Sequence, residues 1–163
     1  MVISNYCQNK VIIQNGVMSM KSNEYRIWDN ENDCYTTNLD YFYMSSNGDV
    51  YTSNFGEICN NVTHLVTVES YTGFKDVKGT KIFEGDILKM HSHVTMFDSD
   101  LDEWVDDYAP VVWDEDAGAF TYQGDVLGYQ LGAGYGADCV YHDTLEVVGN
   151  IHEDAGLLEV KDE

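Results

Sequence analysis

Residues 71–88, with the sequence YTGFKDVKGTKIFEGDIL, carry more structural information than any other part of this chain. Asp76 and Gly79 occupy the first and fourth positions of a predicted type I turn, where Asp caps the turn and Gly closes it without strain. Residues 84–86 (EGD) bend the chain between two short apolar pairs that suit strands. This signature segment therefore predicts a turn, a strand, a sharp bend and a second strand.

The length and composition indicate a single domain, with or without a small appendage. The 163 residues are 44% hydrophobic, which is enough for a core, and 12 Tyr and 3 Trp favour strands. Charge is the most extreme property, because 29 acidic against 8 basic residues give a net charge of −21 at pH 7. Such a chain does not adhere unaided to nucleic acid or anionic membranes, and it favours a basic partner surface.

The acidic excess is concentrated in the second half of the chain. Residues 1–90 hold 11 acidic and 7 basic residues, a balance of −4. Residues 91–163 hold 18 acidic residues and one basic residue, Lys161, a balance of −17. Simple solubility is one explanation of this excess, and a binding surface is the other, since solubility alone rarely requires such a concentration.

The cysteines and the first residues indicate a cytoplasmic protein. Cys7, Cys34, Cys59 and Cys139 form no Cys-x-x-Cys pair. The opening MVISNY lacks the basic start and apolar run of a secretion signal, and no stretch approaches the ~20 apolar residues of a membrane span. We therefore expect reduced thiols.

The signature segment resembles that of the YopX-like proteins of bacteriophages and prophages, whose pattern runs roughly Tyr-Thr-Gly-Leu-Lys-Asp, a turn, then Ile-Tyr-Glu-Gly-Asp-Ile. Residues 25–29, 111–114 and 145–151 resemble further family segments in the same order, and residues 145–151 are predicted to close the core as a strand. Two features depart from the family: residues 152–155 (HEDA) replace its usual Tyr-Glu-Asn-Pro, and the acidic and Gly-rich segments are larger. The resemblance implies that the protein acts inside a bacterial host cell.

The resemblance implies an all-β fold with a small SH3-like barrel, which agrees with the short apolar runs. We predict a mainly β protein with an SH3-like barrel core, an N-terminal β extension, and long acidic and Gly-rich loops. The predicted parts are an N-terminal extension over residues 1–20, a β-rich part over 21–68, the barrel core with insertions over 69–152, and an acidic tail over 153–163.

Four local predictions complete the structural interpretation. Residues 98–108 are predicted to form a polar, acidic excursion, and residues 124–136 a long Gly-rich loop. Residues 111–122 predict a hairpin, with Gly118 in its loop. Residues 54–67 fit either one short helix or irregular structure, and the sequence leaves this open.

Metal binding has two weak candidates. His91 and His93 would place two imidazoles on one side of a strand, with Cys139 and His142 completing a tetrahedral site, although nothing fixes the spacing between the pairs. The first three ligand positions of a calcium-binding loop are matched, but the loop requires Gly where this chain has Glu103 and Glu where it has Ala109. The acidic residues of that incomplete loop are Asp98, Asp100 and Asp102.

Enzymatic chemistry lacks a specific signal in this sequence. Residues 132–136 (GAGYG) superficially resemble a nucleotide loop, but no βαβ pattern surrounds them, and Asp125 and Asp138 would repel phosphate. No Gly-x-Ser-x-Gly elbow and no local Cys/His signature occur. We therefore expect no enzymatic activity and no cofactor.

We expect a phage-encoded nucleic-acid mimic that inhibits a bacterial restriction enzyme or CRISPR effector nuclease. Carboxylates on a β scaffold repeat every ~6.6 Å along a strand and ~4.8 Å between strands, and duplex DNA carries one charge per ~1.7 Å. Aromatic residues among the acids would supply apolar anchors. The predicted partner-binding residues are Asp98, Asp100, Asp102, Glu103, Trp104, Asp106, Asp107, Tyr108, Asp114, Glu115 and Asp116.

The alternative is a non-enzymatic, homo-oligomeric accessory or structural protein of the phage. Strands without partners at a barrel rim favour pairing with another copy. A minor third interpretation is a small-ligand binder that uses the Gly-rich loop. The first interpretation expects a basic nucleic-acid-binding surface of a bacterial protein as partner, and no direct contact with nucleic acid or a membrane.

Overall fold

The computed structural model describes residues 11–14, 17–20, 24–54, 57–95, 102–131 and 144–159, and these residues are mainly antiparallel β-structure, as predicted. The described strands are β1 (Val11–Gln14), β2 (Val17–Met20), β3 (Tyr25–Asp29), β4 (Cys34–Tyr35), β5 (Phe42–Met44), β6 (Val50–Asn54), β7 (Glu57–Asn61), β8 (Val66–Lys75), β9 (Lys81–Phe83), β10 (Asp86–Thr95), β11 (Asp102–Asp114), β12 (Ala119–Tyr122), β13 (Asp125–Val126) and β14 (Thr144–Asn150). They are joined by one α-helical turn, α1 (Leu127–Gln130), and by 3₁₀ turns at Leu39–Tyr41, Thr63–Leu65 and Ala155–Leu158.

The chain divides into two compact units, and the smaller one is Glu24–Ser70. In this unit β3 pairs with β4 and with residues 66–70 of β8, while β5, β6 and β7 form a separate antiparallel sheet. Ile27, Trp28 and Val50 are its buried apolar side chains.

A buried carboxylate ties the first strands of the smaller unit together. Glu69 on β8 accepts hydrogen bonds at Oε2 from Arg26 Nε at 2.5 Å and from the Tyr35 hydroxyl at 2.9 Å. The Arg26 guanidinium also lies 4.6 Å from the centre of the Tyr35 ring. Because burying a charge is costly unless it is paired, these contacts fix β3, β4 and β8 in register.

The larger unit contains a five-stranded antiparallel sheet in the order β13-β12-β11-β10-β14. β12 is buried along its whole length, and β11 turns alternate residues toward the core because successive side chains on a strand point to opposite faces. The fully buried residues of this core are Ile82, Leu88, Val111, Phe120, Tyr122, Leu127 and Leu145.

The signature segment folds as the sequence predicts. The Gly79 N–H donates to the Asp76 carbonyl at 3.0 Å, which closes the turn, and Gly79 adopts φ +85°. Asp76 Oδ1 accepts the N–H groups of Lys78 at 2.9 Å and Thr80 at 2.8 Å. β9 follows this turn and β10 follows the bend at residues 84–86, so the predicted turn, strand, bend and strand are confirmed.

Asp76 also connects this turn to a strand 71 residues away. Its second oxygen, Oδ2, accepts the Val147 N–H of β14 at 3.1 Å, and the Val77 N–H donates to the Leu145 carbonyl at 3.2 Å. Burial disfavours the charge on Asp76, but the N–H groups of Val147, Thr80 and Lys78 outweigh it and hold the pKa of this carboxyl below its ordinary value. The charged form is therefore the one that the fold stabilises.

The bend at Gly85 makes a second pair of distant connections. Gly85 adopts φ +80°, a conformation that favours glycine. Its N–H donates to the Val111 carbonyl at 2.9 Å, and its carbonyl accepts the Ile151 N–H at 2.9 Å. Asp86 Oδ2 accepts the Phe83 N–H at 2.7 Å and closes the bend locally. Both turns of the signature segment thus bind segments that lie far away in sequence.

Three local predictions need correction or completion. The prediction of an acidic excursion is wrong over residues 102–108, which belong to the 13-residue strand β11. Pairing with β10 outweighs the polar composition of these residues. Residues 98–101 lie outside the described part. The prediction of a long Gly-rich loop is wrong over residues 125–130, which form β13 and α1, and Leu127 is buried. Residues 54–67 contain β7 and a 3₁₀ turn.

Two further predictions agree with the strands. The hairpin over residues 111–122 is confirmed, since β11 and β12 pair Val111 with Tyr122 through Asp114 with Ala119. The closing strand near residues 145–151 is confirmed as β14. Closure of the larger unit into an SH3-like barrel stays a prediction.

We predict that Asp76→Ala lowers the free energy of unfolding by about 2–4 kcal/mol, because it leaves buried N–H groups without acceptors. Asp114→Ala is the matched control, since Asp114 accepts two N–H groups in a more exposed turn, and we expect a loss of about 1 kcal/mol there. Urea denaturation measures both. Equal losses for the two variants would contradict the connecting role of Asp76.

The lowered pKa of Asp76 also predicts a pH dependence. A carboxyl whose pKa is lower in the folded than in the unfolded state stabilises the fold above its unfolded value, about 3.9, and this stabilisation is lost as pH falls through the folded value. The stability gap between the wild type and Asp76→Asn should therefore be constant from pH 7 to about pH 5 and shrink below about pH 4. Denaturation at a series of pH values checks this, and a gap that persists unchanged to pH 2.5 would disprove it.

Candidate functional site

β11 carries the described part of the predicted binding site. Its outer face presents Trp104, Asp106, Tyr108 and Val112, all exposed to solvent. The intervening residues point the other way, and among them Val111 is fully buried. The strand therefore divides the predicted acidic residues between two faces.

Trp104 is held in place by stacking on a histidine of the neighbouring strand. The Trp104 and His91 rings lie parallel within 7°, with their centres 4.6 Å apart. Trp104 is nevertheless 56% exposed, so much of the indole is open to solvent. An exposed and fixed aromatic side chain is the residue type that dominates protein interfaces.

Asp106 is paired with two basic side chains of β10. Its Oδ2 lies 2.7 Å from Lys89 Nζ, and its Oδ1 lies 2.6 Å from His91 Nδ1. Hydrogen bonds from Lys89 and then His91 hold the pKa of Asp106 below its ordinary value, and the bond to Asp106 raises the pKa of Lys89. On β14, the next strand, Glu146 forms an ion pair with Lys78. The outer face near Asp106 therefore carries alternating charges, because Asp106 and Glu146 are both paired with basic side chains.

The hairpin after β11 presents two more of the predicted acids to solvent. Asp114 Oδ1 accepts the N–H groups of Asp116 at 2.8 Å and Ala117 at 2.9 Å, so this carboxylate shapes the turn. Glu115 and Asp116 are exposed at the tip. These two are better placed than Asp114 to meet a partner.

Asp107 lies on the core side of β11 and is half-buried. The hydroxyl of the fully buried Tyr122 donates to the Asp107 carbonyl at 3.2 Å. Burial, and then the charge of Asp107, raise the pKa of Tyr122 to about 12, so this hydroxyl remains a donor at physiological pH. Asp107 thus borders the core, away from the outer face.

The structure places the predicted residues in three groups. The exposed ones are Glu103, Trp104, Asp106, Tyr108, Glu115 and Asp116, and the half-buried ones are Asp107 and Asp114. Of the remaining three, Asp102 is described only as the first residue of β11, and Asp98 and Asp100 lie outside the described residues.

The basic partners of Asp106 are not evident from the sequence. The sequence suggests only a metal-ligand role for His91 and gives no signal for Lys89. The signal that would have found them is the register of β10 against β11, which pairs His91 with Asp106 and Lys89 with Tyr108. That register is set by pairing between strands and is not visible in the spacing of residues along the chain.

The small-ligand candidates gain no support within the described ranges. In these ranges, no group of three or more His, Cys, Asp or Glu side chains is arranged to hold a metal ion. The side chain of His93, the residues Cys139 and His142, and the nucleotide-like loop at 132–136 lie outside the described part. Among the described helices, none has the length and apolar character that crossing a membrane requires.

Two solved structures are similar to this chain. Protein EF1440 from Enterococcus faecalis has a TM-score of 0.48 and 19% identity over 83% of this chain and 96% of that chain. Protein yopX from Bacillus subtilis has a TM-score of 0.43 and 20% identity over 83% of this chain and 97% of that chain. No curated protein matches the sequence.

The family assignment rests on the sequence match, which covers most of the chain. The profile of the family described as YopX protein matches residues 6–159. This range includes the signature segment, β11 and β14, whose connections are described above. The chain therefore belongs to the YopX family.

Proposed function

We propose that this YopX-family chain is a phage-encoded, non-enzymatic binding protein that acts in the bacterial cytoplasm. It occupies the basic nucleic-acid-binding surface of a host defence enzyme, such as a restriction enzyme or a CRISPR effector nuclease. The observation that carries the proposal is the exposed row of Trp104, Tyr108 and Val112 on one face of β11, within the acidic half of the chain.

The exposed row supplies the apolar contact that charge alone does not give. Large apolar side chains fixed on a strand lose little conformational freedom on binding, and buried aromatic anchors contribute most of the affinity in many interfaces. Acidic groups around such anchors accelerate association with a basic partner and orient it. We therefore assign slow dissociation to Trp104 and Tyr108, and fast, oriented association to the carboxylates.

The carboxylates do not contribute equally to this proposal. Asp106 is already compensated by Lys89 and His91, and Asp114 shapes its turn. Glu115 and Asp116 are exposed at the hairpin tip, and Glu103 is exposed on the face of β11 opposite to Trp104. We expect these three acids to contribute most of the charge attraction to lysine and arginine side chains that otherwise hold phosphates.

We predict that the wild type inhibits DNA cleavage by at least one nuclease of these classes, and that Glu103→Lys/Glu115→Lys/Asp116→Lys weakens inhibition about tenfold or more. The matched control is Glu31→Lys/Asp40→Lys/Glu57→Lys, which makes the same charge change at exposed acids of the smaller unit. Raising the salt from 0.1 to 1 M should also weaken inhibition, because the Debye length falls from ~10 Å to ~3 Å. Cleavage assays with purified nucleases, and capture from a host lysate to find further targets, provide the measurements.

Two results would contradict the proposal. The first is inhibition that does not change with salt concentration and that is weakened equally by both triple substitutions. The second is that the protein inhibits none of the nucleases tested and that duplex DNA displaces none of the host proteins it captures.

A homo-oligomeric accessory protein is the second candidate, and the smaller unit provides the observation that favours it. β7 lies at the end of its described sheet, all five of its residues are exposed, and Ile58 is 57% exposed. An irregular register between β6 and β7 opposes this candidate, because bulges protect strand edges from pairing. Light scattering separates the two, since a large, salt-insensitive assembly without a host partner would favour the oligomer.

A further inference from the structure

Arg26 shows how this protein holds a guanidinium group with an aromatic ring and a carboxylate. The guanidinium lies 4.6 Å from the centre of the Tyr35 ring, and its Nε lies 2.5 Å from Glu69 Oε2. The ring stabilises the cation through its electron-rich face, and the carboxylate supplies the opposite charge. Arg26 is the only arginine in the sequence.

Trp104 and Asp106 present the same two groups on the outer face of β11. They are two residues apart on one strand, so their side chains point to the same side, ~6.6 Å apart along the strand. The indole stacks on His91 and remains 56% exposed. Asp106 is fixed by Lys89 and His91. A ring and a carboxylate are therefore both oriented and both reachable from solvent.

We infer that Trp104 and Asp106 form a subsite for an arginine side chain of the partner. The inference rests on the proposed function, and it names the group that the basic partner inserts at this face. The chain has no second arginine to occupy the subsite itself. The net charge of −17 in residues 91–163, from 18 acidic residues and one basic residue, favours a cationic occupant.

Arginine suits the subsite better than lysine for geometrical reasons. A planar guanidinium can lie flat on the exposed indole while its edge donates to a carboxylate, whereas an ammonium group is a compact point charge. An ionised carboxylate has about four lone-pair positions, so Asp106 can accept a third donor beside Lys89 and His91. The partner arginine therefore joins the existing cluster or displaces Lys89 from it.

The experiment compares a peptide of ten arginines with a peptide of ten lysines, both labelled, by fluorescence anisotropy at fixed ionic strength. The measured quantity is the ratio of the two dissociation constants for each variant. We expect Trp104→Leu, which keeps an apolar side chain but removes the ring, to reduce the preference for arginine about 3- to 10-fold relative to the wild type. Trp104→Phe should retain part of the preference.

Tyr41→Leu is the matched control, because Tyr41 is also 56% exposed but lies in the smaller unit. It should leave the preference unchanged, and Asp106→Asn should reduce it. If both peptides bind but Trp104→Leu and Tyr41→Leu preserve the same preference, the arginine subsite is wrong while a basic partner remains supported. If neither peptide binds the wild type at low salt, the proposed function and the subsite fail together.

Discussion

The larger unit depends on the carboxylate of Asp76, which accepts backbone N–H groups from its own turn and from β14. In a chain with a net charge of −21, this acid is buried and kept charged by N–H groups, so it contributes to the fold and not to the surface. Gly85 provides the second connection, through its bonds to Val111 and Ile151. These contacts position β11 and β14 on either side of β10.

This arrangement separates the signature segment from the part of the chain that we propose to bind a partner. Asp76, Gly79, Gly85 and Asp86 all serve turns or connections between strands, so these residues of the signature segment build the scaffold. The outer face of β11 is built on that scaffold by residues outside the signature segment. Relatives with the same turns can therefore carry different side chains on this face and bind different partners.

The residue types along the chain are sufficient to predict the turns but not the contacts between strands. Asp76 and Gly79 could be predicted because a turn is specified by residues three positions apart. β11 was missed over residues 102–108 because its acids and aromatic residues suggest a loop until β10 lies beside them. The cluster of Lys89, His91 and Asp106 depends on that same register. The face itself was predicted too uniformly acidic, since charge counts along the chain do not show which acids are already paired.

Hydrogen–deuterium exchange of the protein bound to a captured nuclease tests the separation of scaffold and binding face most directly. Amide exchange reports which backbone segments become protected when a partner covers them. We expect new protection in β11 and its hairpin, centred on Trp104 and Tyr108, and unchanged exchange at the turn of Asp76. Protection centred on the signature segment, with β11 unaffected, would contradict it.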